Sequence, residues 1–194
     1  MEYAGIVMRR ILKIILAIFA MLIIIVAVFG AIFFLDLVAY TATGAQILTP
    51  TGTSMGNASV LYDPGLSGAS TRVAEKVAAN LQAQNLTVTL AGIKSSAAAN
   101  TTGYNIIVIG GPIYAGAPTS SIKDALNTLN PDAGAKVGVF GSGSGASAPE
   151  DITMIRDAVP TLSNGSLSDA IVVKIGSNED LDARASDFVT ELLS

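Results

Sequence analysis

The chain has 194 residues, 51% of them apolar, and a formal net charge of −4, and it is long enough for one domain with its own core. It contains no Cys and no His. This excludes thiol catalysis, disulfides, Cys-bound iron–sulfur clusters, His-ligated zinc or haem, and Ser-His-Asp hydrolysis. It has no basic run that could follow a phosphate backbone, so nucleic acid is not an expected partner.

The first part of the chain holds most of the apolar excess. Residues 14–35 contain no charged side chain, and as a helix they would span about 33 Å, enough to cross a hydrocarbon core. A core helix of a domain this small would keep one face toward solvent and show a polar stripe there, which this run lacks. A cleaved signal peptide is the main alternative, because small residues follow the run, but its apolar part would be shorter. We predict a cytoplasmic stub and a retained single-pass membrane anchor over residues 1–35.

The charges on either side of the apolar run predict its orientation. Arg9, Arg10 and Lys13 precede the run, whereas Asp36 follows it and the next basic residue is Arg72. The positive-inside rule then leaves the N-terminus in the cytoplasm and puts the C-terminal part outside the membrane. Asn-x-Ser/Thr triplets agree with an external location, although a chain rich in Ser and Thr contains some by chance. They begin at Asn57, Asn85, Asn100 and Asn164.

Beyond the anchor, the chain changes from a linker pattern to a domain pattern. Residues 36–57 are rich in Thr, Gly and Ala without a lasting period, which is typical of a linker. Packing of residues 45–48 on the domain is an equally open alternative. The predicted strands are residues 58–62, 86–90, 104–110, 135–141 and 170–175. The predicted helices are residues 70–84, 120–129, 149–162 and 178–193, the third with a break before Pro160.

The predicted strands are nearly continuous apolar runs, and such runs mark a parallel sheet covered by helices on both faces. We therefore predict one doubly wound α/β domain over residues 58–194. Such sheets bind ligands beyond the carboxyl ends of their strands, where the strand order reverses. The candidate binding segments are the turns after the first, third and fourth predicted strands. We call residues 63–71 the first turn, residues 110–121 the second turn and residues 140–151 the third turn.

The first turn is rich in Gly, Ser and Thr and leads into a helix. Main-chain N–H groups and hydroxyls at a helix N-terminus form a site for an anion such as phosphate. Ser67, Ser70 and Thr71 would donate hydrogen bonds, and Gly68 would allow close approach of the backbone. There is no Walker Lys and no G-x-G-x-x-G motif, so neither triphosphate hydrolysis nor NAD binding is indicated. An ordinary turn with Ser70 as N-cap is the alternative.

The second and third turns also present backbone rather than side chains. Gly110, Gly111 and Gly116 keep the second turn accessible, and Tyr114 is its one large side chain, which suits stacking on a planar ring. A cover over the core is the alternative role for Tyr114. The third turn contains the run Gly-Ser-Gly-Ser-Gly at residues 141–145. It forms either another backbone wall of the same site or a flexible linker.

These motifs resemble those of the flavodoxin family. "VLYDPGLSGASTRVAEKVA" is similar to its phosphate loop, "IIVIGGPIYAGAPTSSIKDAL" to its second ring-binding loop and "KVGVFGSGSG" to its third, in the right order across residues 58–194. The resemblance implies a doubly wound five-stranded parallel sheet with strand order 2-1-3-4-5. It also implies FMN, bound without a covalent link and carrying one or two electrons. The implied phosphate contacts are Ser67, Gly68, Ala69, Ser70 and Thr71, the ring contacts are Pro112, Ile113, Tyr114, Ala115 and Gly116, and the contacts to the other ring edge are Gly141, Ser142, Gly143, Ser144 and Gly145.

The chain departs from the family pattern in its phosphate loop and third turn. Gly65 stands where the family often has Ser or Thr, Ala69 stands where it usually has Asn, and the third turn has no aromatic side chain. Glu150 and Asp151 would either lower the reduction potential of a bound flavin or simply occupy the first turn of a helix, where the helix dipole favours acidic residues.

We expect a membrane-anchored electron carrier with a redox partner protein or membrane complex. The alternatives are a flavin-dependent quinone-type reductase and a non-redox module that has lost FMN.

Overall fold

The structure is a computed structural model that describes the backbone of residues 2–39 and 43–194, and the side chains of residues 10–34 and 43–194. It divides into two compact units, Met1–Asp36 and Leu37–Ser194. Part of the predicted linker, residues 40–42, lies outside the described residues. The N-terminal unit belongs to one helix, α1 (Glu2–Ala39). Its stretch Arg10–Phe34 has a mean hydropathy of 3.2 and is long and apolar enough to cross a membrane.

The second unit is an α/β domain built on one sheet. Its strands are β1 (Ala45–Leu48), β2 (Gly56–Tyr62), β3 (Leu86–Gly92), β4 (Ile106–Tyr114), β5 (Ala117–Pro118), β6 (Lys136–Gly143) and β7 (Ile171–Gly176). Its helices are α2 (Ala69–Ala83), α3 (Ser120–Thr128), α4 (Pro149–Asp157), α5 (Pro160–Ser163) and α6 (Leu181–Leu193), with a 3₁₀ turn at Ser96–Ala99. Parallel pairing in the order β3-β2-β4-β6-β7 confirms the predicted order 2-1-3-4-5.

Successive residues of the central strands face opposite layers of the core. Ile106 and Val108 of β4 pack in the layer that contains residues of α2 and α6. Ile107 and Ile109 pack in the layer that contains residues of α3 and α4. Because side chains alternate between the two faces of a strand and both faces are covered, every position must be apolar. This is why β4 reads as an unbroken apolar run.

Several elements differ from the predicted ones at their edges. Strand β1 pairs antiparallel with β3 at the edge of the sheet, so Ala45–Leu48 packs on the domain, the alternative that the sequence left open. Strand β4 was predicted to end at residue 110 but runs to Tyr114, because its Gly-Gly-Pro segment still pairs with β6. The predicted break before Pro160 separates α4 from α5, and Val159 there is extended with φ −132°.

Candidate functional site

The three turns meet at one rim of the sheet, beyond the carboxyl ends of β2, β4 and β6. The hydroxyl of Ser70, in the first turn, lies 2.6 Å from that of Ser142, in the third, and both residues are buried. The main-chain N–H of Leu66 donates to the hydroxyl of Tyr114, in the second turn, at 3.3 Å. The first turn is therefore bonded to both of the others, as expected for turns that share one site.

The first turn has glycine at two positions with a left-handed backbone, and the space around the two differs. Gly65 and Gly68 both have left-handed backbones, with φ 63° and 65°. A Cβ on Gly65 would lie 2.9 Å from Cγ of Pro112, whereas a Cβ on Gly68 would meet nothing within 4 Å. The first hydrogen bond of α2 runs from Arg72 N to Gly68 O, so the main-chain N–H groups of the first helical turn have no partner within the helix. Together with the helix dipole, these groups favour an anion beside Gly68.

A buried carboxylate holds the first turn against the start of α3. Asp63 follows β2 directly and has no exposed surface. Its Oδ2 accepts hydrogen bonds from the hydroxyls of Thr119, at 3.0 Å, and Ser121, and its Oδ1 accepts from Gly65 N at 3.2 Å. The carboxylate therefore fixes where the turn begins. Asp63 is not among the predicted site residues, although an acid directly after a buried strand at the binding rim was a usable signal.

The second turn is a tight hairpin rather than an open shelf. Ile113 and Tyr114 at the end of β4 pair with β5, and Ala115 and Gly116 between them have φ 50° and 82°. Two consecutive left-handed residues are typical of a two-residue hairpin turn. A Cβ on Gly116 would lie 2.8 Å from Sδ of Met154, so α4 packs directly against the hairpin tip.

The third turn is held at its start and at its end. A Cβ on Gly141 would lie 2.6 Å from Cγ1 of Ile113, so the second turn covers it. The carbonyl of Gly145 packs so closely on Gly176 of β7 that no Cβ would fit there. Ser177 N donates to the carbonyl of Gly143 at 2.9 Å. These contacts fit a wall of a site better than a flexible linker.

A cavity of about 290 Å³ separates the second turn from the third. It is lined by Ile113, Ala115, Gly116, Gly143, Ser144, Asp151, Met154 and Lys174. Two cavities of about 380 Å³ lie elsewhere, one beside the amino ends of β6 and β7 and one beneath the 3₁₀ turn. Size alone therefore does not identify the site. Its position does, because the cavity lies beyond the carboxyl ends of β4 and β6, next to the point between β2 and β4 where the strand order reverses.

An ion pair forms one side of this cavity. Nζ of Lys174, in β7, lies 2.8 Å from Oδ2 of Asp151 and 3.3 Å from the carbonyl of Ala146. The hydrogen bond from Lys174, followed by that from Ala148 N, lowers the pKa of Asp151. The negative charge of Asp151 is therefore compensated, and only Glu150 of the two acids stays exposed. A lysine inside the apolar strand "IVVKIG" was a signal for a buried partner.

A second acid, Glu179, holds the third turn on the side away from the cavity. Burial raises the pKa of Glu179, but hydrogen bonds from the Ser147 hydroxyl and Gly176 N, and the charge of Arg184, outweigh it and leave the pKa lowered. The two hydrogen bonds measure 2.5 and 2.6 Å. The Ser147 hydroxyl also contacts the carbonyl of Lys174 at 2.6 Å. The turn that faces the cavity is thus fixed by charged groups on its far side.

The structure places all fifteen predicted site residues at this rim, but some of them bond to each other within the protein. The residues at the rim are Ser67, Gly68, Ala69, Ser70, Thr71, Pro112, Ile113, Tyr114, Ala115, Gly116, Gly141, Ser142, Gly143, Ser144 and Gly145. The hydroxyls of Ser70 and Ser142 contact each other, and Ser67 Oγ accepts from Ala69 N at 3.3 Å. Tyr114 is not among the cavity-lining residues, because its hydroxyl contacts the first turn.

Comparison with solved structures shows the fold of the domain. A short-chain flavodoxin associated with a bacterial microcompartment is 22% identical, with a TM-score of 0.52, over 72% of this chain and 97% of its own. A flavodoxin of Streptococcus pneumoniae TIGR4 is 20% identical, with a TM-score of 0.50, over 71% and 97%. The apo form of an NADH:FMN oxidoreductase is 14% identical, with a TM-score of 0.54, over 71% and 88%. No family model and no curated protein matches the chain. The domain therefore has a flavodoxin-like fold.

Proposed function

We propose that this chain is a membrane-anchored electron-transfer protein that binds FMN without a covalent link. The observation that carries the proposal is the cavity between the second and third turns, at the same rim as a first turn whose Ser70 and Thr71 N–H groups have no partner within the helix. A flavodoxin-like fold puts these features at the rim where doubly wound sheets bind ligands. When bound, FMN would supply the reversible uptake of one or two electrons.

The first turn suits the phosphate of FMN through its main chain. The N–H groups of Ser70 and Thr71 lie in the first turn of α2, where no helical carbonyl reaches them. The open space beside Gly68 leaves room for an anion to approach these groups. The exposed side chain of Ser67 adds one hydroxyl. Because Gly65 and Ala69 supply no polar side chain, we expect the phosphate to be held mainly by backbone.

The cavity suits the ring system. Its volume of about 290 Å³ is near the lower end for small-molecule sites, ~300–1,000 Å³, and the phosphate would lie outside it at the first turn. Ile113 and Met154 supply apolar surface, and Gly116 and Gly143 supply main chain close to the ring. The ammonium of Lys174 would favour negative charge on a reduced ring, an effect that Asp151 reduces.

The membrane part of the proposal follows from α1. We propose that it is a single-pass anchor, with the N-terminus in the cytoplasm and the domain outside the cytoplasm. Arg10 and Lys13, directly before the uncharged run of α1, and the absence of basic residues directly after that run support this orientation. The expected partner is a redox protein or membrane complex at that surface.

Flavin content tests the proposal directly. The full chain should be purified in detergent and examined for flavin absorbance and for FMN released on denaturation. If it is colourless, it should be titrated with FMN and with riboflavin. Saturable FMN binding, with reduction and reoxidation of the bound flavin, is the expected result. A folded chain that neither contains nor takes up flavin would contradict the proposal.

A non-redox module is the second candidate, and specific contacts favour it. The Ser70–Ser142 and Leu66–Tyr114 hydrogen bonds satisfy, within the protein, groups that a ligand would otherwise contact.

A reductase has less support. Arg156 donates to three carbonyls of the segment after α4, and Arg184 pairs with Glu179 and a β7 carbonyl, so neither is available to bind an anionic hydride donor. The third arginine of the domain, Arg72, is exposed at the start of α2 and does not line the cavity.

A further inference from the structure

The Asn-x-Ser/Thr triplets differ sharply in accessibility within the folded domain. In the triplet at Asn57, Ser59 is fully buried in β2, and the Asn57 amide donates to the carbonyl of Gly103 at 3.4 Å. In the triplet at Asn85, Leu86 is buried and Thr87 donates its hydroxyl to Ser54. Neither triplet fits an enzyme that must bind all three residues as an exposed segment.

The triplet at Asn164 is exposed but tied into a compact turn. Asn164 N donates to Pro160 O at 3.1 Å, and Leu167 N donates to Thr161 O at 3.0 Å. A Cβ on Gly165 would lie 2.6 Å from Cα of Thr161, so the turn is packed against its own helix. Extending this triplet for an enzyme would require the end of α5 to open.

The triplet at Asn100 is both exposed and already arranged. Asn100 follows the 3₁₀ turn in an extended conformation, with φ −105° and ψ 113°. Its Oδ1 accepts from Thr102 N at 3.1 Å and from the Thr102 hydroxyl at 2.8 Å. Both donors withdraw charge from the amide through its oxygen, which makes the Nδ2 proton easier to remove. Asn100 and Thr102 are exposed to solvent.

We infer that Asn100 is an acceptor for an N-linked glycan, an inference that rests on the proposed orientation of the domain outside the membrane. The donor would be an oligosaccharide on a lipid phosphate or pyrophosphate. A bond forms between Nδ2 of Asn100 and the anomeric carbon of the sugar. The bond from that carbon to the phosphate oxygen breaks, its electron pair leaves with the lipid phosphate, and the Nδ2 proton passes to a base of the transferase.

A glycan on Asn100 would cover an exposed surface of the domain and would leave the rim formed by the three turns accessible. Asn100 lines a groove of about 370 Å³ together with Ile47, Thr89, Ala97 and Tyr104. Strand β1 is the edge of the sheet, and Ile47 on it is 68% exposed. Edge strands left uncovered can pair with other chains. The groove lies over β1 and β3 at the edge of the sheet, whereas the three turns follow β2, β4 and β6.

The test uses the folded full chain, purified in detergent, with a single-subunit oligosaccharyltransferase that recognises Asn-x-Ser/Thr and a lipid-linked oligosaccharide. A flexible Asn-x-Thr tag added after Ser194 reports that the reagents work. We expect a glycan at Asn100 by peptide mass spectrometry, its loss in Asn100→Gln and Thr102→Ala, and its retention in Thr102→Ser and Asn57→Gln. A modified tag with an unmodified Asn100 would overturn the inference.

A second measurement separates this outcome from failure of the proposed orientation. The tagged full chain is translated with glycosylating microsomes, in which only segments on the lumenal side receive sugar. A glycosylated tag and a glycosylated Asn100 support both proposals. A glycosylated tag with an unmodified Asn100 overturns only the acceptor assignment. An unmodified tag on a membrane-inserted chain overturns the orientation and, with it, the inference.

Discussion

The hydroxyls of Ser70 and Ser142 lie 2.6 Å apart and join the start of α2 to the end of β6. Strand β4 lies between β2 and β6 in the sheet, so this bond crosses over the middle strand of the proposed site. It is buried from solvent at both ends. The first and third turns are therefore a coupled pair, joined by a buried hydrogen bond within the protein.

Removing both of these hydroxyls should cost less than the sum of the costs of removing each alone. Ser70→Ala or Ser142→Ala leaves the other hydroxyl buried without its partner, and we expect each to lower the free energy of unfolding by about 1–3 kcal/mol. The double variant should lose less than the sum, with a coupling of roughly 1 kcal/mol. Urea unfolding of the four proteins measures this. Ser144→Ala, at an exposed position of the same turn, is the control, and additive losses would contradict the coupling.

Elements that depend on local pattern were predictable, and elements that depend on distant pairing were not. The parallel strands and the helices between them followed from apolar runs alternating with helical spacing, because burial on both faces imposes that pattern. The strand order followed from the resemblance to the flavodoxin family. Strand β1 is mostly exposed and forms because it pairs with Val88–Ala91 of β3. No local pattern in residues 45–48 reveals that pairing. The extension of β4 through Gly-Gly-Pro likewise depends on its pairing with β6.

The candidate site shows the same division. The Gly-rich turns were visible in the sequence, because a segment with few large side chains directly after a predicted strand is a local pattern. The Ser70–Ser142 bond joins positions 72 residues apart, so the sequence could assign Ser70 to phosphate but could not show its partner. Lys174 was detectable as a charge in an apolar strand. Its partner Asp151 is on α4, which only the packing of that helix against β7 brings close.

Tyr114 variants should separate ring stacking from a purely structural contact. Tyr114→Phe removes only the hydroxyl that accepts from Leu66 N at 3.3 Å, so flavin affinity should change little if the ring is what matters. Tyr114→Ala should weaken binding by about 1 kcal/mol or more, roughly fivefold, if the aromatic ring stacks on the flavin. Fluorescence titration with FMN measures both variants. Equal affinities for wild type and Tyr114→Ala would restrict Tyr114 to covering the core.

Gly68→Ala should weaken the binding of FMN more than that of riboflavin. The new methyl group would point into the open space beside the first turn, where the phosphate is expected, and the loss of charge-assisted bonds should reduce FMN affinity about tenfold or more. Riboflavin has no phosphate and should bind as before. Parallel titrations of the variant with the two flavins measure the difference.

Gly134→Ala is the matched control for that variant. Gly134 has φ 85°, and a Cβ there also meets nothing within 4 Å, but it precedes β6 at the other end of the sheet. Both variants should lose about 1–2 kcal/mol of stability from the left-handed backbone. Only Gly68→Ala should affect FMN. An equal loss of FMN affinity in both variants would show a general effect of backbone strain and would remove the phosphate from the first turn.

The Lys174–Asp151 pair predicts a specific dependence of stability on pH. Because the hydrogen bond from Lys174 and then that from Ala148 N lower the pKa of Asp151 in the folded state, its contribution is complete above the unfolded pKa of about 4. It is lost as the pH falls through the lower folded pKa. Asp151→Asn should therefore reduce the free energy of unfolding by about 2 kcal/mol at pH 7. The gap to wild type should close as the pH falls below about 4.

Urea unfolding from pH 7 down to the acid limit of the folded state checks this prediction. Asp157→Asn is the control, because Asp157 ends the same helix at an exposed position and should follow wild type throughout. In Asp151→Asn, Lys174 keeps its hydrogen bond to the carbonyl of Ala146, so the third turn should stay folded and the difference should report the lost pair. A constant gap at all pH values would mean that the variant acts by altered packing, and no gap at pH 7 would mean that the pair is too well solvated to stabilise the turn.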